Sequence, residues 1–376
     1  MPFKSFLMGG FECSTHRDNR GRRLDLIEST RHDEFAEADY SRLLNLDIKS
    51  CRDGLRWHLI EPRPFQYDFK SLENQIDAVR RTGIEVVWDF FHYGYPDDID
   101  IFDLQFIERF ESFCRAATNH LKSELDGQLF VCPVNEISFF SWIAGQVGNF
   151  YPCVRHRGSL LKRQLIRAAL AGIQAIKSVD PTVRILITDP AIHVVPQSDK
   201  PSARRAAELY RRSQFESFDI LAGRREPELG GTPGAVDMIG LNYYFHNQWH
   251  HPSRHKIPRG HEVYKPLADI LREFQERYNK PIVIAETGIE DDERAGWFRY
   301  VCGQTAIARS SGADINGVCL YPIVNHPGWA DDRHCHNGLW DYADDEGNRE
   351  VYGPLEAEVR YQQNLMNRTH QGVVFK

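Results

Sequence analysis

The chain has 376 residues, enough for two or three domains of ordinary size or for one α/β barrel. Its 46 Lys and Arg stand against 53 Asp and Glu, a net charge of −7, which argues against the clustered cationic face of a nucleic-acid binder. Hydrophobic residues make up 41%, with 22 Phe, 15 Tyr and 7 Trp, so a substantial core is expected and a disordered chain is excluded. No run approaches the roughly 18 uncharged apolar residues of a membrane span.

At the start, Phe6-Leu7-Met8-Gly9-Gly10-Phe11 is apolar but is broken at once by Glu12, which reads as a first strand rather than a secretory signal. Further strands are expected at 50–55, 85–90, 128–134, 184–188, 238–241, 282–285 and 317–320. Helices are expected at 34–44, 70–82, through the face Phe106, Ile107, Phe110, Phe113 and Cys114, and from Leu161 to Ile176, ending before Asp180-Pro181. More follow at 202–221, 266–278, 296–311 and 353–365. Strict alternation implies a parallel sheet, and eight units imply its closure into a single (β/α)8 TIM barrel. An open doubly wound sheet fits the alternation too, although no Gly-x-Gly-x-x-Gly follows the first strand. No repeat, low-complexity tract or linker divides the chain, so residues 1–376 read as one catalytic domain, with 366–376 a C-terminal tail. The eight cysteines include no CxxC pair, and Cys132 and Cys319 lie inside apolar runs, which points to free thiols and a cytoplasmic location.

Catalytic groups of a barrel sit where strands end. Two strands end in glutamate: Leu129-Phe130-Val131-Cys132-Pro133-Val134-Asn135-Glu136, and Pro281-Ile282-Val283-Ile284-Ala285-Glu286. One strand-end carboxylate is most simply a helix cap or a surface ion pair. Two on opposed strands of one barrel invite a paired-carboxylate reading, the requirement of glycoside hydrolysis.

Here the sequence resembles a known family. Asn135-Glu136 and Ile284-Ala285-Glu286-Thr287-Gly288 resemble the Asn-Glu and Thr-Glu-Asn-Gly signatures of clan A glycoside hydrolases, nearest to the family-one β-glucosidases. The likeness extends from Phe6 to about Asp341. Trp88-Asp89-Phe90-Phe91-His92 resembles the segment in which a His ends the third strand, and Asn242-Tyr243-Tyr244 the Asn-Tyr-Tyr after the sixth. Arg52 occupies the place of the Arg that supports the nucleophile, with Arg56 as the alternative. The block Tyr321-Pro322-Ile323-Val324-Asn325-His326-Pro327-Gly328-Trp329 aligns without gaps with the family's Trp-Ser-Leu-Leu-Asp-Asn-Phe-Glu-Trp, and Asn337-Gly338-Leu339 resembles the Phe-Gly-Leu beyond it.

The resemblance implies a retaining enzyme acting on a β-glycosidic bond, with Glu286 as nucleophile and Glu136 as general acid and base. Arg52 and a hydrogen bond from Tyr244 should then keep Glu286 ionised, while burial and the Glu286 charge should raise the pKa of Glu136. Retention implies about 5 to 5.5 Å between the carboxyls. His16, His92, Asn135, Asn242, Tyr321 and Trp329 would bind or support substrate. Three departures concern sugar recognition: His16 stands for the family's Gln, Gly328 for a hydroxyl-gripping Glu, and Tyr321 for a Trp. They point away from ordinary glucosides and galactosides. A transglycosylase, or a carbohydrate-binding barrel without turnover, are the other readings.

The expected partner is a carbohydrate or glycoside, with no cofactor, nucleic acid or membrane. His246/His250 and His251/His255 have the i, i+4 spacing of helical zinc ligands, but Pro252 and Pro258 favour an irregular loop with no third ligand. Asp331-Asp332-Arg333-His334-Cys335-His336 is a second cluster of ligating types, placed where substrate contact or loop structure is the better reading. Trp142, Trp249, Trp329 and Trp340 fall near loops where aromatic platforms for sugar would lie, or else pack in the core. The Arg pairs 204–205, 211–212 and 224–225 read as a solvated helix face.

Overall fold

In the computed structural model, which describes residues 1–370 and side chains through Met366, eight parallel strands close into one barrel. They are β1 (Leu7–Gly10), β2 (Ser50–Gly54), β3 (Glu85–Asp89), β4 (Phe130–Cys132), β5 (Arg184–Pro190), β6 (Met238–Asn242), β7 (Ile282–Thr287) and β8 (Ile315–Leu320). Each pairs with its sequence neighbours, and β8 pairs with β1 through Leu7 and Val318, Met8 and Cys319, and Gly9 and Leu320. The fold is therefore a (β/α)8 TIM barrel. All eight expected strands form. The fourth is shorter than expected because Pro133 has no N–H with which to continue the ladder.

Strand alternation sorts the side chains into two cores. Met8, Val87, Phe130, Leu186, Met238, Val283 and Cys319 fill the barrel interior, with Phe3 at its base and Tyr321 at its top. Apolar residues of opposite parity meet the helices in a larger outer core. In β2 the parity places Cys51 in that outer layer. Asp53 is there too, bonded to His32 and Tyr40, so that Arg52 faces the barrel axis.

The principal helices are α1 (His32–Leu44), α2 (Glu73–Thr82), α3 (Leu104–Glu124), α4 (Gly158–Val179), α5 (Pro201–Arg212), α6 (Leu267–Tyr278), α7 (Arg294–Ser310) and α8 (Gly353–His370). The single helix expected over 202–221 is broken. A 3-10 turn at Ser213–Phe215 separates α5 from Glu216–Leu221, and the Ser213 hydroxyl bonds the Tyr210 carbonyl at 2.6 Å. The last helix runs to His370, so the first part of the expected tail is helical, while 371–376 lie outside the described residues.

Small two-stranded sheets decorate the loops at the C-terminal ends of the strands. His193–Pro196 pairs with Gln248–His251, His326–Pro327 with His334–Cys335, and Trp340–Ala343 with Arg349–Val351. All eight cysteines are free thiols, and Cys153 alone is exposed. Among the described residues no helix is long and apolar enough to cross a membrane.

Candidate active site

The site is built outward from Arg52, whose guanidinium is buried at the barrel's C-terminal end. Its Nη1 donates to Glu286 Oε1 at 3.0 Å and to the Ala285 carbonyl at 2.8 Å. Its Nη2 donates to Asp89 Oδ2 at 2.6 Å and to Asn135 Oδ1 at 3.2 Å. One cation thus ties together the ends of β2, β3, β4 and β7. Arg56, the alternative, lies elsewhere, paired with Asp33 at 2.8 Å. Tyr321 packs its ring 5.2 Å from the Arg52 guanidinium. That approach requires Gly10, because a Cβ there would lie 2.0 Å from the Tyr321 ring.

Glu286 ends β7. Its second oxygen, Oε2, accepts from the Tyr244 hydroxyl at 2.9 Å. Burial pushes its carboxyl pKa up from the ordinary value, and the Arg52 charge, followed by His92 and the Tyr244 bond, opposes the rise.

Glu136 has no such cation. It follows β4 in a left-handed backbone conformation, φ 48°, a strained state for a non-glycine residue. Its N–H bonds the Thr188 carbonyl of β5 at 3.0 Å, and the next turn is anchored by Ser138 N–H to Asp189 Oδ1 at 2.9 Å. The Tyr93 hydroxyl donates to Glu136 Oε2, and Asn242 Nδ2 lies 3.5 Å from Asn135 Oδ1 beside it. Burial and then the Glu286 charge push the Glu136 pKa up to about 8, so it holds a proton at neutral pH.

The supporting network fixes proton positions. Asn135 Oδ1 receives Thr188 Oγ1 at 2.6 Å as well as Arg52, which turns the amide nitrogen toward His92 Nε2 at 3.0 Å and the Tyr93 hydroxyl at 3.2 Å. His92 Nε2 therefore accepts, and Nδ1–H donates to Asp89 Oδ2 at 3.0 Å. Burial disfavours the imidazolium, but the Asp89 bond and the charges of Glu12, Asp89 and Glu286 raise the His92 pKa above 6.5. The neutral tautomer bound by Asn135 holds on the alkaline side of that value. Cys13 Sγ lies 3.1 Å from His92 Nδ1, so Cys13, Asp89 and His92 form a buried trio of metal-ligating types. The guanidinium already on Asp89 Oδ2 opposes a second cation there.

An aromatic wall closes one side. His16 stacks on Phe150 at 3.8 Å and meets the edge of Trp329 at 5.3 Å, while Tyr93 and Phe139 complete the cluster. Burial pushes the His16 pKa down to about 3, and both ring nitrogens, like Trp329 Nε1, are buried without a hydrogen-bond partner. Gly328 follows Pro327 of the small sheet, and a Cβ there would lie 2.3 Å from Asp331 Oδ1.

The structure thus brings Glu136, Glu286, Arg52, His92, Asn135, Asn242, Tyr244 and Tyr321 together, with His16 and Trp329 in the adjoining wall. Other expected features lie apart. Trp340 is core, Trp249 meets Tyr210 at 5.8 Å, and Trp142 carries Arg254 over its ring at 4.8 Å. His250 and His251 occupy a strand, so the i, i+4 pairs share no helical face. His334 and His336 are stacked at 4.4 Å and, with Asp341, bring their ligand atoms within 4.8 Å of one another on the surface, a second group of metal-ligating types, in which His334 Nε2 lies 2.6 Å from Asp341 Oδ1. The paired arginines of α5 bind surface acids such as Glu208. Residue-by-residue reading missed Asp89, Tyr93, Thr188 and Glu12. Asp89 and Glu12 carried the same sign as the chosen glutamates, an acid at the end of an apolar strand.

The fold is that of the β-glucosidase-type (β/α)8 barrels, and 739 solved chains match it. A β-glucosidase from Thermotoga maritima, in complex with glucoimidazole, superposes with a TM-score of 0.76 at 16% identity over 97% of each chain. SghA, a virulence factor in complex with its substrate analogue salicin, gives 0.78 at 18% identity over 96% of each chain. A further structure of SghA, from Agrobacterium tumefaciens, gives 0.75 at 17%, over 96% of this chain and 97% of its own. No family model and no curated protein matches the sequence.

Proposed function

We propose that the protein is a retaining glycoside hydrolase in which Glu286 is the nucleophile and Glu136 the general acid and base. The observation that carries this reading is the unequal support of two buried carboxyls. Glu286 touches a guanidinium, whereas Glu136 touches only neutral donors and holds its proton to about pH 8. That is the pairing a double displacement needs. Glu286 attacks the anomeric carbon as the bond to the leaving oxygen breaks, and the Glu136 proton passes to that oxygen. Once the nucleophile is esterified its charge is gone, the Glu136 pKa falls, and the freed carboxylate takes a proton from the water that cleaves the ester. Arg52 and Tyr244 hold Glu286 in line throughout. A carbohydrate substrate also agrees with the barrel's likeness to β-glucosidases and to SghA with bound salicin.

The test is turnover of an aryl-glycoside panel by the wild type and by Glu286→Ala. The variant should lose activity and regain part of it with azide, giving the α-azide from a β-glycoside. Full activity in Glu286→Ala overturns the assignment.

A further inference from the structure

Glu12 follows β1 and is buried, at 7% exposure, beside the proposed catalytic pair. Its Oε1 accepts the Ser14 N–H at 3.0 Å, and its Oε2 takes no hydrogen bond among the described residues. His92 Nε2 stands 3.9 Å from Oε1, beyond bonding distance, and is occupied by the Asn135 amide. No Arg or Lys among the described residues lies at ion-pair distance. Glu12 Oε1 lies 3.9 Å from His92, which bonds Asn135 and Asp89, and so Glu12 stands beside the same network. A carboxylate has room for about four donors, and Glu12 has one hydrogen-bond donor among the described residues.

We propose that Glu12 is a specificity residue that grips adjacent hydroxyls of an uncharged sugar ring. Adjacent hydroxyls present two O–H donors to one carboxylate, in short charge-assisted bonds. The surrounding wall suits a neutral polyol better than an ammonium group, which has donors only. Trp329 Nε1–H offers a donor, and His16 offers both a donor and an acceptor, all without partners. The local charge also selects: Asp89, Glu286 and Glu12 outnumber Arg52 and His92, an arrangement that disfavours a further anion such as a uronate or a phosphorylated sugar.

This inference rests on the glycosidase reading, and the experiment separates the two. Wild type, Glu12→Ala and the near-isosteric Glu12→Gln are compared on a parent aryl glycoside and on its singly deoxygenated analogues. Glu12→Ala should lower kcat/KM on the parent by about 10- to 100-fold, the range for bonds to a charged group. On analogues lacking a gripped hydroxyl, wild type and variant should converge. An unchanged parent rate, an equal loss on every analogue in both variants, or a preference for amino sugars overturns the proposal. If the wild type cleaves no glycoside, the glycosidase reading fails, and Glu12 is judged by calorimetry with free neutral monosaccharides. Binding that is lost in Glu12→Gln sustains its role; equal binding, or none, overturns it.

Discussion

Replacing Glu136 by Gln should make the protein progressively more stable than the wild type as pH rises. In the unfolded chain Glu136 releases its proton near the ordinary 4.5, but in the folded protein near 8. Between those values the folded state holds a proton that the unfolded state lacks, so raising the pH favours unfolding. The slope is about 1.4 kcal/mol per pH unit, and across the window it amounts to about 5 kcal/mol of stability lost by the wild type. Gln keeps the shape and can still accept from Tyr93, but it has no proton to lose. Thermal or urea unfolding of both proteins at pH 5, 7 and 9 reads the difference directly. The gap in favour of Glu136→Gln should widen through the window and level off above about 8. Parallel pH curves for the two proteins would refute the reasoning, because they would mean that Glu136 ionises in the fold as easily as in the unfolded chain.

Three further outcomes follow from the same contacts. Arg52→Met leaves Asp89 and Glu286 buried without their cation, which should cost about 3–5 kcal/mol in unfolding experiments and move the acid limb of the kcat/KM profile upward. An unchanged acid limb would contradict the role given to Arg52. Tyr93→Phe removes a donor to the Glu136 carboxylate, so the alkaline limb should move to higher pH, by up to about one unit. Glu286→Gln removes the charge that raises the Glu136 pKa, and a carboxyl titration followed by infrared or NMR should find that pKa lower than in the wild type.

The parts legible in the sequence were those with local signals. Eight apolar runs marked the strands, and an acid after the fourth and seventh marked the paired carboxyls. Arg52 took precedence over Arg56 by the resemblance, and the fold gives the physical reason: Arg52 lies within β2 and faces the axis, while Arg56 lies beyond the strand's end at Gly54, caps the helix Trp57–Ile60 and turns to Asp33. Tyr93 escaped notice because its relation to Glu136 joins the loops after β3 and β4, a contact that no spacing records. The His16 and Phe150 stack likewise unites the first loop with the distant segment beyond a π-helical turn at Ser141–Val147. The break in the 202–221 helix was hidden because its residues favour helix, and only the turn at Ser213 interrupts it.

Arg52 sorts the carboxyls of the site by contact. Asp89, at 2.6 Å, is driven below the ordinary range: its complete burial raises the pKa, but Arg52 and the His92 bond outweigh that. Glu286, at 3.0 Å, shares the same guanidinium, and burial still raises it somewhat. Glu136, with no guanidinium contact, is carried to about 8. One cation therefore separates three carboxyls of the same chemistry by how closely each approaches it, which is the division that the proposed nucleophile and acid require. Glu12 breaks the series, since it is buried beside His92 without a share of Arg52 and with a single backbone donor among the described residues. Among these carboxyls it has the fewest protein donors, and for that reason the proposed grip on substrate hydroxyls is assigned to it.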